Sequence, residues 1–147
     1  MPDFDFLAGE WKIHNRRLTA PGGEWEEFPG EATVWSALNG NASIEELRLS
    51  ADKVIGMGVR TYHVATGEWA DHWVGGAVGV VNEPMMGTFV DGVGTFLAED
   101  VEDDGSRVLA RGVWDHITPT SCRWHQATSS DGGATWDVNW SMEWTRV

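Results

Sequence analysis

Two stretches of the sequence place an aspartate directly beside a histidine, next to tryptophan: G67-E-W-A-D-H-W-V-G75 and V113-W-D-H-I-T118. A carboxylate and an imidazole in an apolar pocket both have shifted pKa values, as general acid-base chemistry at neutral pH requires. Adjacent residues on a strand point to opposite faces of the sheet, so neither pair can act together as a dyad. The member of each pair that points inward must share its face with tryptophan.

Counting by twos from the tryptophans selects Asp71 from the first stretch and His116 from the second. Asp71 shares its face with Trp69 and Trp73, and His116 shares its face with Trp114. If these faces line a cavity, Asp71 and His116 are the candidate catalytic residues for proton transfer. This hypothesis requires that both side chains face the same cavity.

The same counting turns Trp124 and Gln126 inward on the following strand, and the last strand adds Trp140. Aromatic faces of this kind favour stacking on a flat ring of a ligand. The predicted ligand-binding residues are Trp69, Trp73, Trp114, Trp124, Gln126, Trp140, Arg17 and Tyr62.

Arg17 and Tyr62 belong to this set for a separate reason. Counting by twos along the first strand turns Arg17 inward, where its guanidinium could bind a ligand carboxylate through two hydrogen bonds. Pairing with an acid such as Glu26 or Glu45 is the alternative. Tyr62 shares a strand face with Arg60, and the same alternative applies there.

The histidines and the cysteine, which could bind a metal or act as nucleophiles, form no known motif. None of the five histidines has H-x-x-x-H or H-E-x-x-H spacing. The single cysteine, Cys122, excludes an internal disulfide and an all-cysteine zinc site, and is interpreted as a small buried hydrophobe. We therefore predict no metal and no cofactor. Any chemistry is predicted to be proton transfer, such as isomerisation, cyclisation, dehydration or hydration.

Length and charge limit the class of protein. A chain of 147 residues with 41% hydrophobic residues predicts a single globular domain over residues 1–147. The formal net charge of −13 argues against nucleic acid and anionic membranes as partners. The first residues lack a basic segment followed by an apolar run, and no apolar run approaches about 18 residues. We therefore expect a soluble, cytoplasmic protein.

Turn signals at short intervals predict an antiparallel all-β sandwich or barrel. Short runs rich in valine, threonine and aromatic residues separate these signals, and helical periodicity is absent apart from a single turn at D3-F-D-F-L-A8. The turn signals are P21-G-G23, N39-G-N41, T66-G67, D91-G92, D103-D-G105 and S130-D-G-G133.

The last strand has the clearest pattern, because residues 135–146 alternate strictly between apolar and polar. One face is predicted to be buried and to carry Trp136, Val138, Trp140, Met142, Trp144 and Arg146. A guanidinium on a buried face needs hydrogen-bond partners or an aromatic ring to lie on. A tryptophan from elsewhere in the chain is therefore expected to meet Arg146.

Gly9-x-Trp11 in the first strand, together with Arg146 near the end of the last strand, resembles the calycin superfamily of lipocalins and fatty-acid-binding proteins. The resemblance implies a single antiparallel up-and-down β-barrel of about 8–10 strands with a short N-terminal helical turn. It also implies that Trp11 and Arg146 stack to close one end. Calycins mostly bind small apolar ligands, and some members are enzymes.

A second resemblance covers nearly the whole chain. It looks like a calycin-like family of small bacterial proteins catalogued as a domain of unknown function, and it brings no activity. In that family positions 71 and 72 are mostly apolar or tyrosine and position 116 is mostly acidic, so Asp71, His72 and His116 are departures from it. The resemblance is carried by F4-D-F-L-A-G-E-W11, H14-N-R-R-L18, G92-V-G-T-F96, R123-W-H-Q-A127, S129-S-D-G-G-A-T-W136 and N139-W140.

One motif within that set has a structural interpretation. S129-x-D131-G-G133-x-T135-W136 matches the Asp-box of sialidases and other β-propellers, in which aspartate and serine bond the backbone of a hairpin turn. Propellers carry several copies in much longer chains. We interpret the single copy as a turn.

Three hypotheses follow. The first is binding of a small, largely apolar, aromatic or unsaturated molecule in a tryptophan-lined cavity. The second is a cofactor-free acid-base enzyme, an isomerase, cyclase or hydratase/dehydratase, that uses Asp71 and His116 in the same cavity. The third is an interaction protein whose tryptophan faces bury a homodimer interface.

Overall fold

The computed structural model describes residues 3–147 and contains ten strands. In chain order these are β1 (Gly9–Leu18), β2 (Trp25–Ala37), β3 (Ala42–Ser50), β4 (Lys53–His63), β5 (Glu68–Gly75), β6 (Met85–Val90), β7 (Val93–Val101), β8 (Arg107–Asp115), β9 (Ser121–Ser129) and β10 (Asp137–Arg146). Two 3-10 helices accompany them, Asp5–Leu7 before β1 and Leu38–Gly40 after β2. No helix in this described range is long and apolar enough to cross a membrane.

The ten strands form one closed antiparallel barrel. Each strand pairs with its neighbours along the chain, and β1 also pairs with β10, from Trp11 opposite Arg146 to Arg17 opposite Trp140. Short connections favour the pairing of consecutive strands, so the arrangement is up-and-down. The predicted all-β up-and-down barrel of 8–10 strands, with a helical turn near the N-terminus, is confirmed.

The turn after β9 shows why its sequence matches the Asp-box. Oδ1 of Asp131 accepts hydrogen bonds from the Thr135 backbone N–H at 2.9 Å and from Oγ of Ser129 at 2.7 Å. Oγ of Ser129 in turn accepts from the backbone N–H of Gly133 at 2.9 Å. The Thr135 hydroxyl also donates to Oδ2 of Asp131, at 2.5 Å. This bond, followed by those from the Thr135 backbone N–H and the Ser129 hydroxyl, lowers the pKa of Asp131 to about 2. The interpretation of the motif as a hairpin turn is confirmed.

Arg146 closes one end of the barrel. Its Cζ lies 4.3 Å from the ring centroid of Trp11, which confirms the predicted stack. Its two terminal nitrogens each donate at 2.7 Å, to the backbone carbonyls of Ala8 and Phe6. Gly9 has a φ of 127°, and a Cβ there would lie 2.6 Å from Nη1 of Arg146. The Gly-x-Trp motif therefore makes room for the guanidinium.

Aromatic side chains fill the interior next to this end. Phe4 is buried and makes edge contacts with Trp69 and Phe89, both at 4.9 Å between ring centroids. The indole N–H of Trp11 donates to the Leu7 carbonyl at 2.7 Å, which ties the N-terminal helix to the barrel. Side chains of the hydrophobic core therefore pack the interior at this end of the barrel.

The predicted alternation of the last strand is wrong at its beginning. The register shifts between Val138 and Trp140, which leaves Asn139 as an extra residue in the strand. Such a bulge moves the residues before it to the other face. Val138 therefore pairs with Ala127 and is 42% exposed, and Trp136 lies under the Arg111 guanidinium, 4.3 Å from ring centroid to Cζ.

Candidate ligand cavity and its polar cluster

The half of the barrel away from Arg146 contains a cavity of about 280 Å³. Five tryptophans line it, together with the apolar side chains of Leu47, Met85 and Met142. The tryptophans are Trp73, Trp114, Trp124, Trp140 and Trp144. Asn82 and Glu83, in the loop before β6, are exposed and lie at its rim.

Four of the tryptophans form a continuous aromatic wall on β8, β9 and β10. Trp114 lies directly opposite Trp124 across the β8–β9 pair, with ring centroids 6.4 Å apart. Trp114 also contacts Trp144 edge to face at 5.3 Å, and Trp124 contacts Trp140 in the same way at 5.8 Å. Side chains opposite each other on paired strands share a face, so strand register places these rings together.

A buried charged cluster forms the opposite wall of the cavity, on β3, β4 and β5. Glu45 and Arg60 are 4% and 3% exposed, and Nη2 of Arg60 donates a hydrogen bond to Oε1 of Glu45. Nε of Arg60 lies 3.6 Å from Oδ1 of Asp71, whose side chain is 20% exposed. Arg60 and Asp71 are register partners across β4 and β5. One cation therefore serves two carboxylates.

Because Arg60 is shared with Glu45, its positive charge only partly offsets the cost of burying a negative charge on Asp71. Burial raises the pKa of Asp71 from 3.8 to about 6, because the loss of water penalises the charged form more than Arg60 stabilises it. The negative charge of Glu45 acts in the same direction as burial. Asp71 can therefore donate or accept a proton near neutral pH.

The Asp71→Asn variant is expected to be more stable than the parent chain at pH 8, by about 1–3 kcal/mol. A carboxyl whose pKa is higher in the folded than in the unfolded chain makes folding more favourable as the pH falls through the folded value. The advantage of the variant should therefore shrink between pH 7 and pH 4, around the value of about 6 for Asp71. Urea unfolding of the variant and the parent protein between pH 4 and pH 8 measures this difference in the free energy of unfolding. A constant difference would contradict the prediction.

His116 does not line the cavity, and the prediction that it faces Asp71 is wrong. β8 ends at Asp115, and His116 has a φ of 50°, in the left-handed region, where the alternation of a strand stops. His116 is exposed. Asp115 does lie on the outer face as predicted, where Arg123 donates two hydrogen bonds to it, at 2.8 and 2.7 Å.

Trp69 and Tyr62 also lie outside the cavity. Trp69 is 1% exposed, belongs to the solid core at the closed end, and donates its indole N–H to Oδ2 of Asp3 at 3.0 Å. Tyr62 packs on Trp69 with ring centroids 5.3 Å apart. Both side chains point inward as predicted, but at the level of the barrel that the N-terminal helix fills.

Arg17 and Gln126 lie at the open end of the barrel. A second, broader hollow of about 770 Å³ is lined there by both residues and by the β1–β2 turn, and it shares Gln126 and Trp140 with the inner cavity. Two nitrogens of Arg17 donate to Oε1 of Glu26, at 3.2 and 2.9 Å, as the alternative interpretation predicts. Its Cζ lies 5.1 Å from the Trp140 ring centroid.

Sequence alone does not show that Glu45 and Arg60 form one buried pair. The sequence predicts only that Arg60 shares a strand face with Tyr62 and that Glu45 is an alternative partner of Arg17. The signal is the alternation Ser43, Glu45, Leu47 on β3, which puts an acid on the inward face of a strand. Among residues 3–147, no group of three or more His, Cys, Asp or Glu could hold a metal ion.

Comparison with solved structures supports the fold. The chain is similar to the protein in "Crystal Structure of Rv2717c from M. tuberculosis", with a TM-score of 0.58 and 12% sequence identity. The match covers 100% of this chain and 98% of that chain. At this identity the likeness shows the fold alone. No model of a known protein family matches the chain, and no curated protein matches it.

Proposed function

We propose that this protein binds one small, flat, largely apolar molecule, aromatic or unsaturated, in the tryptophan-lined cavity. The observation that carries the proposal is the aromatic wall of Trp114, Trp124, Trp140 and Trp144 in an interior space of about 280 Å³. Indole faces and edges favour a planar, polarisable ring over a flexible chain. The few polar groups opposite this wall would fix the orientation of the ligand.

The volume of the cavity limits the ligand to one or two rings. Pockets for drug-sized ligands occupy about 300–1,000 Å³, and this cavity, at about 280 Å³, is slightly smaller than that range. Leu47, Met85 and Met142 add apolar surface, and methionine adapts its shape to different ligands. The exposed rim at Asn82 and Glu83 offers a route of entry.

Calorimetric titration with indole tests this proposal. We expect saturable binding with one site per chain, because indole fits the volume and stacks on tryptophan. Indole has few atoms, so an affinity in the micromolar to millimolar range, about −4 to −8 kcal/mol, is expected. A heat signal that does not saturate, for indole and for naphthalene-sized rings alike, would refute the proposal.

A second candidate function is acid-base catalysis by Asp71 on the bound molecule. It is favoured by the position of this carboxyl in the cavity wall and by its pKa of about 6. His116 has no part in this version, because it is exposed outside the cavity. Asp71→Asn should abolish turnover of a substrate and spare its binding. In a pure binding protein the same variant changes affinity only.

The remaining expectations stay predictions. They are a cytoplasmic location, a homodimer, and membership of the calycin-like family of unknown function. The homodimer hypothesis depended on tryptophan faces that cover an interface. Trp11, Trp69, Trp114 and Trp144 are instead buried inside the barrel, which removes much of its basis.

A further inference from the structure

The carboxyl of Asp71 is open to the cavity and receives no hydrogen bond from residues 3–147. Its side chain lines the cavity on β5 and is 20% exposed. The cation that faces it is Arg60, whose Nε lies 3.6 Å from Oδ1, which is longer than a hydrogen bond. Polar atoms inside a protein are normally paired. An accessible carboxylate without a donor is therefore suited to a donor on a ligand.

Charge decides which kind of donor fits. The residues that line the cavity include three acids, Glu45, Asp71 and Glu83, and one cation, Arg60. Arg60 already bonds Glu45, and its side chain is only 4% exposed, so its guanidinium offers little to a ligand anion. An anion would meet mainly carboxylates and be repelled. A neutral donor would leave the excess negative charge uncompensated, whereas a cation compensates it.

The burial of Asp71 increases the effect of a ligand cation. Burial raises the pKa of Asp71 to about 6, so the empty barrel holds this negative charge at a cost in free energy. That cost is already part of the stability of the unliganded protein, and binding does not add it again. A cation loses its own water on entry, but it meets a carboxylate that has already lost most of its water.

The tryptophan beside Asp71 favours the same kind of ligand. Trp73 lies two residues from Asp71 on the same face of β5, and both line the cavity. Gly58 is the register partner of Trp73 and also lines the cavity, so no side chain of β4 fills the space at this position. The face of an indole ring attracts a cation through its negative π-electron density.

The barrel already uses two of the cavity tryptophans in this way. Cζ of Arg60 lies 5.3 Å from the ring centroid of Trp114, and Cζ of Arg17 lies 5.1 Å from that of Trp140. In the part of the chain that the structure describes, no arginine or lysine lies over the ring of Trp73. This ring is therefore available to a ligand cation.

We propose that the ligand is a flat aromatic molecule with a protonated amino group, which binds between the carboxylate of Asp71 and the tryptophan rings of the inner cavity. This inference rests on the proposed binding function and names the chemical class of the ligand. The acid Glu83 at the rim and the formal net charge of −13 also attract a cation towards the entrance.

Three probes of similar shape test the inference by calorimetric titration at pH 7: 2-naphthylmethylamine, which is a cation at this pH, 2-naphthalenemethanol and 2-naphthoate. The amine is expected to bind about tenfold more tightly than the alcohol, and the carboxylate more weakly than the alcohol. Excess indole should displace the amine, because both occupy the inner cavity. Equal or tighter binding of the alcohol or the carboxylate, or an amine that indole does not displace, overturns the inference and leaves the binding function intact. Failure of indole and all three probes to bind refutes both.

A matched pair of variants assigns the effect to Asp71. Asp71→Asn keeps the shape of the side chain and removes its charge, whereas Glu143→Gln removes a carboxylate from the exposed outer face of β10. The first should weaken binding of the amine by about 10–100-fold and change that of the alcohol by less than about threefold. The second changes the net charge of the protein by the same amount and should keep the ratio of the two affinities. An unchanged ratio in Asp71→Asn, or an equal change in both variants, overturns the inference.

A crystal structure of the unaltered protein with 2-naphthylmethylamine gives a direct readout. We expect the nitrogen to lie about 2.7–2.9 Å from a carboxylate oxygen of Asp71, as in other charged hydrogen bonds. The naphthalene ring should lie against the tryptophan wall. An amino group that points to the rim and to water, away from Asp71, overturns the inference, whether or not the variants fold.

Discussion

Replacing Arg60 with leucine is expected to lower the free energy of unfolding by about 3–5 kcal/mol at pH 7. Arg60 is the cation between Glu45 and Asp71. The side chains of Arg60 and Glu45 are almost completely buried. Without it, two carboxylates remain inside the barrel with no compensating charge. Such groups must bind protons or pull the structure open. The measurement is urea unfolding followed by tryptophan fluorescence.

Arg17→Leu is the matched control for this variant. Arg17 also bonds a glutamate through its guanidinium, but both side chains of that pair are 44% exposed. An exposed pair of this kind contributes about 0–1 kcal/mol. For Arg60→Leu, the decrease in the free energy of unfolding should become smaller towards pH 4, because Glu45 and Asp71 then bind protons. Equal stability of the two variants at pH 7 would show that the buried cluster has no energetic importance.

Leu47→Trp is expected to weaken indole binding by about 100-fold or more, close to loss of detectable binding. Leu47 is 3% exposed on β3 and lines the cavity opposite the aromatic wall. A larger side chain at this position occupies the space that the ligand needs. The cavity gives the added ring somewhere to lie, so the fold should survive with a moderate loss of stability. Calorimetric titration with indole measures the effect.

Leu97→Trp controls for the introduction of a tryptophan. Leu97 is 46% exposed on β7, and the same substitution there leaves the cavity untouched. This variant should bind indole as the parent protein does. If a folded Leu47→Trp protein also binds with parental affinity, the binding site lies elsewhere.

Much of the fold was predictable from sequence because its signals are local. Turn residues separate the strands, and alternation along each strand assigns the inner face. The pairing of Trp11 with Arg146 came instead from a resemblance, since the two residues lie at opposite ends of the chain. The structure places them as register partners across β1 and β10.

The failures arise where alternation is interrupted without a sequence signal. His116 follows the end of β8 in a left-handed conformation, which no glycine or asparagine marks. The bulge at Asn139 moves Trp136 and Val138 to the outer face, and no residue in the sequence signals it. A count by twos is reliable only within an unbroken strand. Asp71, in the middle of β5, therefore lines the cavity as predicted, whereas His116, beyond the end of β8, does not.

That the three polar residues form one cluster could not be predicted from a single sequence. Glu45, Arg60 and Asp71 belong to three strands, and they meet because the register of β3, β4 and β5 aligns them. Alternation predicts which face each side chain occupies, but not its height along the barrel axis. Trp69 illustrates the same limit, because it has the correct face and lies at the closed end.

A crystal structure of the protein grown with indole tests the binding function most directly. We predict planar density inside the barrel, between the wall formed by Trp114, Trp124 and Trp140 and the side chain of Asp71. The ring should contact Leu47, and the Arg60–Glu45 pair should remain in place. Indole found only in the outer hollow or on the surface, with the inner cavity closed by its own side chains, would contradict the proposed function.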